Sequence, residues 1–181
     1  MKPRSLYRNI LISGEIDSGG VKGIIDKIMD INYDDDLKEE DYKGWEREPI
    51  NLFINSCGGN AYDALALIDV IRNSKTPVNT IAIGWCMSAG LWIFMHGHKR
   101  IVGEHATLMF HDVSAWAVGK TEGIKQELVE AQRLAKMYCK SITDVSMVKQ
   151  ETLDDYINRK AEWYIPAEEA IKLKIANEYY K

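Results

Sequence analysis

The sequence predicts an α/β fold built on parallel strands, and two observations indicate it. First, short apolar runs rich in β-branched residues alternate along the chain with patterns typical of amphipathic helices. Second, each run is continuously apolar, as expected for strands covered on both faces of a sheet. The alternation implies right-handed crossovers, and a spacing of roughly 25 to 35 residues between units is compatible with a stacked repeat.

Five predicted strands are each followed by a helical pattern. The strands are "NILISGEI", "INLFINS", "VNTIAIG", "ATLMFHDV" and "EWYI". The helical patterns are "SGGVKGIIDKIMDI", "NAYDALALIDVIRNS", "SAGLWIFMHG", a long one from about Thr121 to Asp144, and "PAEEAIKLKIANEYY". Asn60 is expected to cap the second helix, because an asparagine side chain accepts hydrogen bonds from the first free amides.

The stretch "IAIGWCMSAGLWIF", residues 81–94, carries no charged residue. A membrane helix needs roughly 20 mostly apolar residues, and two glycines and a serine interrupt this one. The β-branched residues crowd the first half only. We therefore predict a buried strand over Val78 to Ile83, a tight turn, and a helix from about Ser88.

The long helix carries apolar residues in alternating steps of four and three, which is a heptad pattern. Its members are Ile124, Leu128, Ala131, Ala135, Tyr138, Ile142 and Val145. A helix of about 24 residues is some 36 Å long, more than a domain of this size needs. Two interpretations stay open: the helix lies across its own core, or part of it projects and packs on another subunit.

An acidic stretch, about residues 30–49, is predicted to be a loop inserted between the first helix and the second strand. It holds 9 acidic and 3 basic residues from Asp30 to Glu48. The Asp34-Asp35-Asp36 run could bind a metal, but a solvated charge run is the favoured interpretation.

Bulk properties indicate one domain over residues 1–181 and exclude several classes of function. The net charge of −4 leaves no basic field for nucleic acid and no polybasic face for a membrane. The N-terminal "MKPRSLYRN" lacks the apolar core of a signal peptide. Three widely spaced cysteines form neither a disulfide framework nor a zinc pattern, so we expect a cytoplasmic protein with no cofactor and no metal.

Ser88 is a candidate nucleophile because it lies at the predicted strand-to-helix corner. Such a corner lifts a hydroxyl out of the core and directs free helix amides, that of Ala89 first, at the same point. A serine at a helix start is also a common cap, so position alone does not decide. The Gly58-Gly59 pair after the second strand allows close approach of the backbone, and Gly59 is a candidate second donor.

Histidine supplies the candidate base. His111 ends the apolar run "ATLMF", and the carboxyl ends of strands are where the sites of α/β proteins gather. His96 and His98 form an H-x-H pair without a neighbouring carboxylate or cysteine, and His105 lies near a turn. We therefore predict His111 as the base.

Four segments, "INSCGG", "GWCMSAG", "MFHDV" and "AEWYIPAEEA", together resemble ClpP, the proteolytic subunit of the ATP-dependent Clp protease. The usual patterns there are I-N-S-P-G-G, G-x-A-A-S-M-G-A, M-I-H-Q-P and D-x-F-x-S-A-E-E-A. The resemblance covers about residues 9 to 178, and "AEWY" is similar to the "AETW" of phage and prophage versions. It implies an α/β fold of the Clp/crotonase type, with repeated β-β-α superhelical units and a long projecting helix.

The resemblance also implies the site residues of a serine endopeptidase. It places the nucleophile at Ser88, the base at His111, and the oxyanion donors at the amides of Gly59 and Ala89. The third catalytic residue falls on Glu162, where the family usually has aspartate. A glutamate can orient a histidine in the same way.

Two nearby carboxylates, Asp154 and Asp155, remain alternatives for that third position. Two departures from the family pattern affect other features: Cys57 replaces the proline of the glycine loop, and Ala161 replaces the arginine that joins two rings. The implied partners are a polypeptide substrate, further copies in a ring of seven (or in two rings of seven), and an AAA+ unfoldase.

Two alternative functions are retained. Enoyl-CoA hydratases and isomerases of the crotonase type use paired backbone oxyanion donors without a nucleophilic serine, and the joint presence of Ser88 and His111 argues against them. A catalytically impaired, ring-forming scaffold is the non-enzymatic alternative, and the unusual Glu162 favours it.

Overall fold

A computed structural model describes residues 6–114 and 118–181. Residues 1–5 and 115–117 lie outside the described residues. The N-terminal stretch that we expect not to be a signal peptide therefore lies partly outside them. The strands are β1 (Asn9–Ile16), β2 (Ile50–Gly59), β3 (Val78–Met87), β4 (Arg100–Val102), β5 (Thr107–Phe110), β6 (Trp163–Pro166) and β7 (Glu178–Tyr179). The helices are α1 (Ser18–Asp41), α2 (Ala61–Asn73), α3 (Ala89–Phe94), α4 (Thr121–Thr143), α5 (Gln150–Asn158) and α6 (Ala167–Lys172), and a 3₁₀ turn covers Leu6–Arg8.

A seven-stranded sheet organises the molecule, with the strand order β1-β2-β3-β4-β7 and parallel pairing throughout that path. The first half of β3 pairs with β4 and the second half with β5. Gly84 lies between the two halves with a φ of +58°, a backbone conformation that residues other than glycine rarely adopt. The sheet and the helices confirm the predicted α/β class.

The strand β6 corrects the expectation of parallel strands, because it pairs antiparallel with β5. The two short strands β4 and β7 carry too few residues to give a pattern in the sequence. The helical pattern "PAEEAIKLKIANEYY" also ends earlier than predicted, at Lys172, and its last residues form β7.

The uncharged stretch of residues 81–94 is divided between β3 and α3. The whole of α3 is buried, and Gly84 and Trp85 of β3 are exposed. No helix in the described residues is long and apolar enough to cross a membrane. The predicted strand and helix are confirmed, but the turn is narrower than predicted, because β3 continues past Ile83 to Met87 and the chain turns at Ser88.

The acidic segment of about residues 30–49 was predicted to be a loop, and this is wrong for its first twelve positions, because α1 continues to Asp41. Its buried stripe runs through Ile28 and Ile31 to Asp35, whose side chain is fully buried. Arg8 forms an ion pair with Asp35, and the Thr76 hydroxyl donates to the same carboxylate at 2.8 Å. Asp35 is therefore neither a metal ligand nor a solvated charge.

The pKa of Asp35 reflects two opposed effects. Burial alone would raise this pKa, but the hydrogen bonds from Arg8 and Thr76 and the charges of Arg8 and Lys38 hold it below its usual value. Arg47 bonds Asp36 and Glu39, and so fastens the irregular segment after α1 back onto that helix. Of these ion pairs, the one between Arg8 and Asp35 is buried, and removing one member of a buried pair costs about 3–5 kcal/mol.

The two halves of the long helix α4 differ in how they contact the rest of the chain. Its C-terminal half packs on the core through Leu134, Tyr138 and Ile142. Its N-terminal half stands away from the core, with Ile124 44% and Leu128 57% exposed. Within the described residues, the large apolar side chains of the heptad pattern are therefore buried only along the C-terminal half of α4.

Candidate active site

Ser88 occupies the corner between β3 and α3 and has an unusual backbone conformation, with φ 53° and ψ −122°. A residue other than glycine with positive φ is strained by about 1–3 kcal/mol and persists only where its surroundings hold it. Here the Ser88 amide donates to the Met109 carbonyl at 2.9 Å, and the Ser88 carbonyl accepts from the Trp92 amide at 3.0 Å. Strained turns that present a serine in this way are typical of hydrolase nucleophiles.

The glycine pair at the end of β2 passes directly beside this corner. Gly58 has a φ of +104°, and a Cβ built on it would lie 2.6 Å from the Ser88 Cβ. Gly59 has a φ of +151°, and a Cβ there would lie 2.3 Å from the Ile16 carbonyl oxygen. Only glycine fits at either position, and the backbone of this loop is consequently in contact with Ser88.

A cavity of about 420 Å³ opens at this corner. Four of the five residues predicted for the site line it, namely Gly59, Ser88, Ala89 and His111. They come from three separate segments of the chain, which the parallel pairing of β2, β3 and β5 brings to one edge of the sheet. A cavity at the carboxyl ends of parallel strands is the usual location of an α/β site.

His111 directly follows β5 and is half-buried. Within the described part of the chain, neither the Ser88 hydroxyl nor the His111 ring makes a hydrogen bond with another side chain. Catalytic hydrogen bonds are often long in ligand-free enzymes and shorten only when substrate binds. Both groups border the same cavity and are available to a bound molecule.

The position of Glu162 beside β6 fits its predicted role, but the hydrogen-bond partner of its carboxylate does not. It lies one residue before β6, and the antiparallel register pairs Trp163 with Phe110. Continuing that register by one residue sets Glu162 opposite His111, where Cβ atoms are typically about 5 Å apart. However, Glu162 does not line the cavity, and its Oε2 accepts a hydrogen bond from the Tyr164 hydroxyl at 2.5 Å, which raises the pKa of Tyr164.

The two alternative carboxylates lie on α5 and have other partners. Asp154 Oδ1 accepts from the Gln150 side chain at 2.8 Å. Asp155 Oδ2 forms an ion pair with Arg159 at 2.6 Å. Neither lines the cavity.

The remaining histidines also lie away from the cavity. His98 and His105 are exposed. His96 Nε2 lies 3.0 Å from the Ser141 hydroxyl between α3 and α4. Burial and the charge of Arg72 lower the pKa of His96 to about 4.

Among the cavity residues that the sequence did not assign to the site, Asp112 and Tyr138 lie next to or contact the predicted ones. Asp112 follows His111 directly, and its Oδ1 accepts from the Val113 amide at 2.8 Å. Tyr138 donates its hydroxyl hydrogen to the Ser88 carbonyl at 3.0 Å. Its only signal in the sequence is membership of the heptad pattern, which indicates packing and not a contact with a residue fifty positions away.

Another part of the cavity wall is formed by polar side chains of α2 and α4. Glu130 accepts hydrogen bonds from Arg133 and from the Tyr62 hydroxyl. These bonds, that from Arg133 first, lower the pKa of Glu130 to about 2. The carboxylate is thus ionised and partly neutralised by its neighbours at physiological pH.

A strained serine, a histidine and a glycine loop around one cavity are the features of a serine hydrolase. Comparison with known proteins defines the family: the model of the Clp protease family matches residues 6–179, and the chain belongs to that family. The membership supports a peptidase and confirms the resemblance found in the motifs.

Individual relatives agree with the family assignment. The ATP-dependent Clp protease proteolytic subunit of Pleurastrum terricola is 30% identical over 131 residues, 71% of this chain and 62% of that protein. The subunit of the same name from Deinococcus radiodurans is 31% identical over 127 residues, 69% of this chain and 61% of that protein. The ATP-dependent Clp protease proteolytic subunit 3 of Synechococcus sp. (strain CC9605) is 26% identical over 166 residues, which are 90% of this chain and 77% of that protein. The matched region therefore spans less than two thirds of the Pleurastrum and Deinococcus proteins.

Proposed function

We propose that this chain is a serine endopeptidase that cleaves peptide bonds of short or unfolded polypeptides. Ser88 is the nucleophile, His111 the general base, and the amides of Gly59 and Ala89 the oxyanion donors. The observation that carries the proposal is the strained conformation of Ser88 at a corner that shares one cavity with His111. Family membership makes peptide hydrolysis the reaction to expect there.

The proposed reaction follows the two-step course of serine peptidases. His111 accepts the Ser88 hydroxyl proton as Oγ bonds to the carbonyl carbon of the substrate peptide. The protonated His111 then gives that proton to the departing amine, the C–N bond breaks, and an ester on Ser88 remains. A water molecule, deprotonated by His111 in turn, attacks the ester carbonyl carbon. The bond from Ser88 Oγ to that carbon then breaks, His111 returns the proton to Oγ, and the acid leaves.

The amides of Ala89 and Gly59 would stabilise the negative oxygen formed in each step. Ala89 is the first residue of α3, and the first amides of a helix have no partner within it. Gly59 belongs to the loop that contacts the corner and lines the same cavity. Each such donor contributes on the order of 10²-fold or more to the rate.

Glu162 is the proposed third member, which orients His111 and stabilises its protonated form. The strand register supports this role, since it sets the two residues opposite each other. In the ligand-free chain the carboxylate bonds Tyr164, so the role requires a change of side-chain conformation from Tyr164 to His111.

We further propose that the chain assembles into a homo-oligomeric ring, of seven subunits or of two rings of seven, that encloses the cavity in a chamber. The exposed apolar residues on the N-terminal half of α4, Ile124, Leu128 and Val129, support an interface there. The words "ATP-dependent" in the names of the relatives above support an AAA+ unfoldase as a partner.

The proposal is tested by measuring hydrolysis of a fluorogenic peptide by the wild type, Ser88→Ala and Ser114→Ala. Ser114 is a second serine of the same cavity and serves as the matched control. We expect Ser88→Ala to lower turnover on the order of 10³-fold or more without a change in thermal unfolding, and Ser114→Ala to retain turnover. Equal turnover by Ser88→Ala would refute the proposal.

One observation favours the second candidate, a ring-forming scaffold without activity. The Glu162 carboxylate is bonded to Tyr164 and not to His111. On this alternative, the wild type and Ser88→Ala would both fail to hydrolyse the peptide while forming the same assembly.

A further inference from the structure

Tyr138 reaches from α4 to the backbone of the proposed nucleophile. Its side chain is 3% exposed, and its ring stacks on Trp92 with centroids 5.2 Å apart and packs at the same distance against Phe110. These two contacts hold the ring in place, and the tyrosine side chain that carries it has few rotatable bonds. The hydroxyl is thereby held 3.0 Å from the carbonyl oxygen of Ser88.

That carbonyl oxygen and the amide of Ala89 belong to one peptide group. A trans peptide is planar, and its C=O and N–H bonds point in opposite directions. Fixing the direction of the Ser88 carbonyl therefore fixes the direction of the Ala89 N–H, which is one of the proposed oxyanion donors. The carbonyl is held on its side by the Tyr138 hydroxyl and by the Trp92 amide.

The hydroxyl of Tyr138 is suited to act as a permanent donor. Burial raises the pKa of Tyr138 well above its ordinary value, so the phenol stays protonated wherever the protein is folded. A hydrogen bond to the oxygen of a peptide also polarises its N–H, which strengthens the hydrogen bond that the N–H donates by about 10–30%.

We propose that Tyr138 is a positioning residue, which holds the Ser88–Ala89 peptide so that the Ala89 amide is directed at the oxyanion. The inference rests on the proposed peptidase function and adds a residue that its motifs do not contain. Tyr138 does not react with the substrate; it acts through the peptide that it bonds.

The test is Tyr138→Phe, which keeps both ring contacts and removes only the hydroxyl. We expect kcat for a fluorogenic peptide to fall about tenfold, less than the 10²-fold or more that loss of an oxyanion donor itself costs. KM should stay within about twofold, since ground-state binding is untouched. The affinity for a peptide boronate, whose tetrahedral adduct imitates the transition state, should fall in parallel with kcat.

The matched control is Ile142→Val, which loosens the same buried face of α4 without removing a hydrogen bond. Ile142 is 1% exposed and lies one turn after Tyr138 on that face. We expect the lost methyl group to lower the melting temperature and to leave kcat and boronate affinity unchanged. Tyr138→Phe should lower kcat and boronate affinity, because it removes the hydrogen bond to the Ser88 carbonyl.

Three outcomes decide the inference. Wild-type kcat and boronate affinity in Tyr138→Phe, with Ser88→Ala inactive, would overturn it and leave the proposed function standing. An equal loss of kcat in Ile142→Val would also overturn it, since any loosening of α4 would then suffice. Full activity of Ser88→Ala would instead overturn the proposed function itself, and the inference with it.

Discussion

At the scale of single residues, the conformation of Ser88 depends on what lies beside it. Gly58 leaves room for the serine, because a Cβ at this glycine would meet the Ser88 Cβ at 2.6 Å and the Met87 carbonyl oxygen at 3.0 Å. We expect Gly58→Ala to displace Ser88 and to lower peptide turnover by about 10²-fold or more, as small misplacements at reacting atoms do. Steady-state hydrolysis of a fluorogenic peptide is the measurement.

Gly14→Ala is the matched control for that variant. Gly14 also has a positive φ, of +88°, but a Cβ there would meet no atom within 4 Å. Both variants therefore carry a similar backbone strain of about 1–3 kcal/mol, and only Gly58→Ala adds a clash with the site. Equal turnover in the two variants would contradict the contact between the glycine loop and Ser88 as a requirement for activity.

The role of Glu162 is testable with an isosteric change. Glu162→Gln should keep the fold and lower kcat by roughly 10²-fold or more, because an amide orients His111 less well and cannot stabilise its positive charge. Asp154→Asn and Asp155→Asn should retain activity, since both side chains are bonded on α5. If either aspartate variant is inactive while Glu162→Gln is as fast as the wild type, the alignment of the C-terminal segment is wrong.

The residues of the cavity differ in how far the sequence predicts them. Ser88, His111 and Gly59 follow strands that the sequence shows clearly, so their position at one edge of the sheet could be predicted. The hydrogen bond of Glu162 to Tyr164 could not, because it depends on side-chain conformations on an antiparallel strand that was expected to be parallel. Tyr138 could not either, since its partner is a backbone carbonyl and leaves no pattern in the sequence.

At the scale of elements, α1 shows how a distant contact extends a helix through an acidic run. Charge alone predicts a loop there, because three consecutive aspartates are expected to be solvated. The helix continues because Asp35 meets Arg8, before β1, and Thr76, before β3. Neither partner is close to it in the sequence, so the error follows from reasoning on local composition.

The junction of α3 and α4 gives a prediction on stability and pH. Ser141 donates its one hydroxyl hydrogen to the Met137 carbonyl, so it accepts from both Trp92 Nε1 and His96 Nε2. His96 Nε2 therefore carries a hydrogen. Burial and the charge of Arg72 lower the pKa of His96 to about 4, against about 6.5 when unfolded, so the ring is neutral in the folded chain at physiological pH.

This depressed pKa sets the direction of the pH dependence. Between about pH 6.5 and pH 4 the unfolded chain binds a proton at His96 that the folded chain does not, so stability is full above that window and falls as the pH is lowered through it. Urea unfolding across this range should show a shallower decline for His96→Gln than for the wild type. The exposed His98 provides the control, and a decline in His98→Gln as shallow as in His96→Gln would contradict the assignment.

At the scale of the whole molecule, the N-terminal half of α4 leaves apolar side chains exposed among the described residues. Ile124, Leu128 and Val129 are 44%, 57% and 65% exposed. Burying them between subunits would remove apolar surface from water, which favours assembly. We expect native mass spectrometry at micromolar concentration to show seven or fourteen copies, and Leu128→Glu to shift the distribution to smaller species.

Gln126→Glu provides the matched control for the assembly test, because it adds the same single negative charge two residues away at an exposed polar position of that helix. It should retain the wild-type mass. A wild-type monomer at this concentration would contradict the ring.

The central claim is that Ser88 is an activated nucleophile, and covalent labelling with a fluorophosphonate tests it most directly. Such a probe reacts with an activated serine and not with ordinary hydroxyls, since an unassisted hydroxyl is a weak nucleophile. Peptide mapping of the labelled protein should place one adduct on Ser88, absent in Ser88→Ala and retained in Ser114→Ala. No labelling of the folded wild type, or an adduct on another serine that persists in Ser88→Ala, would contradict the claim.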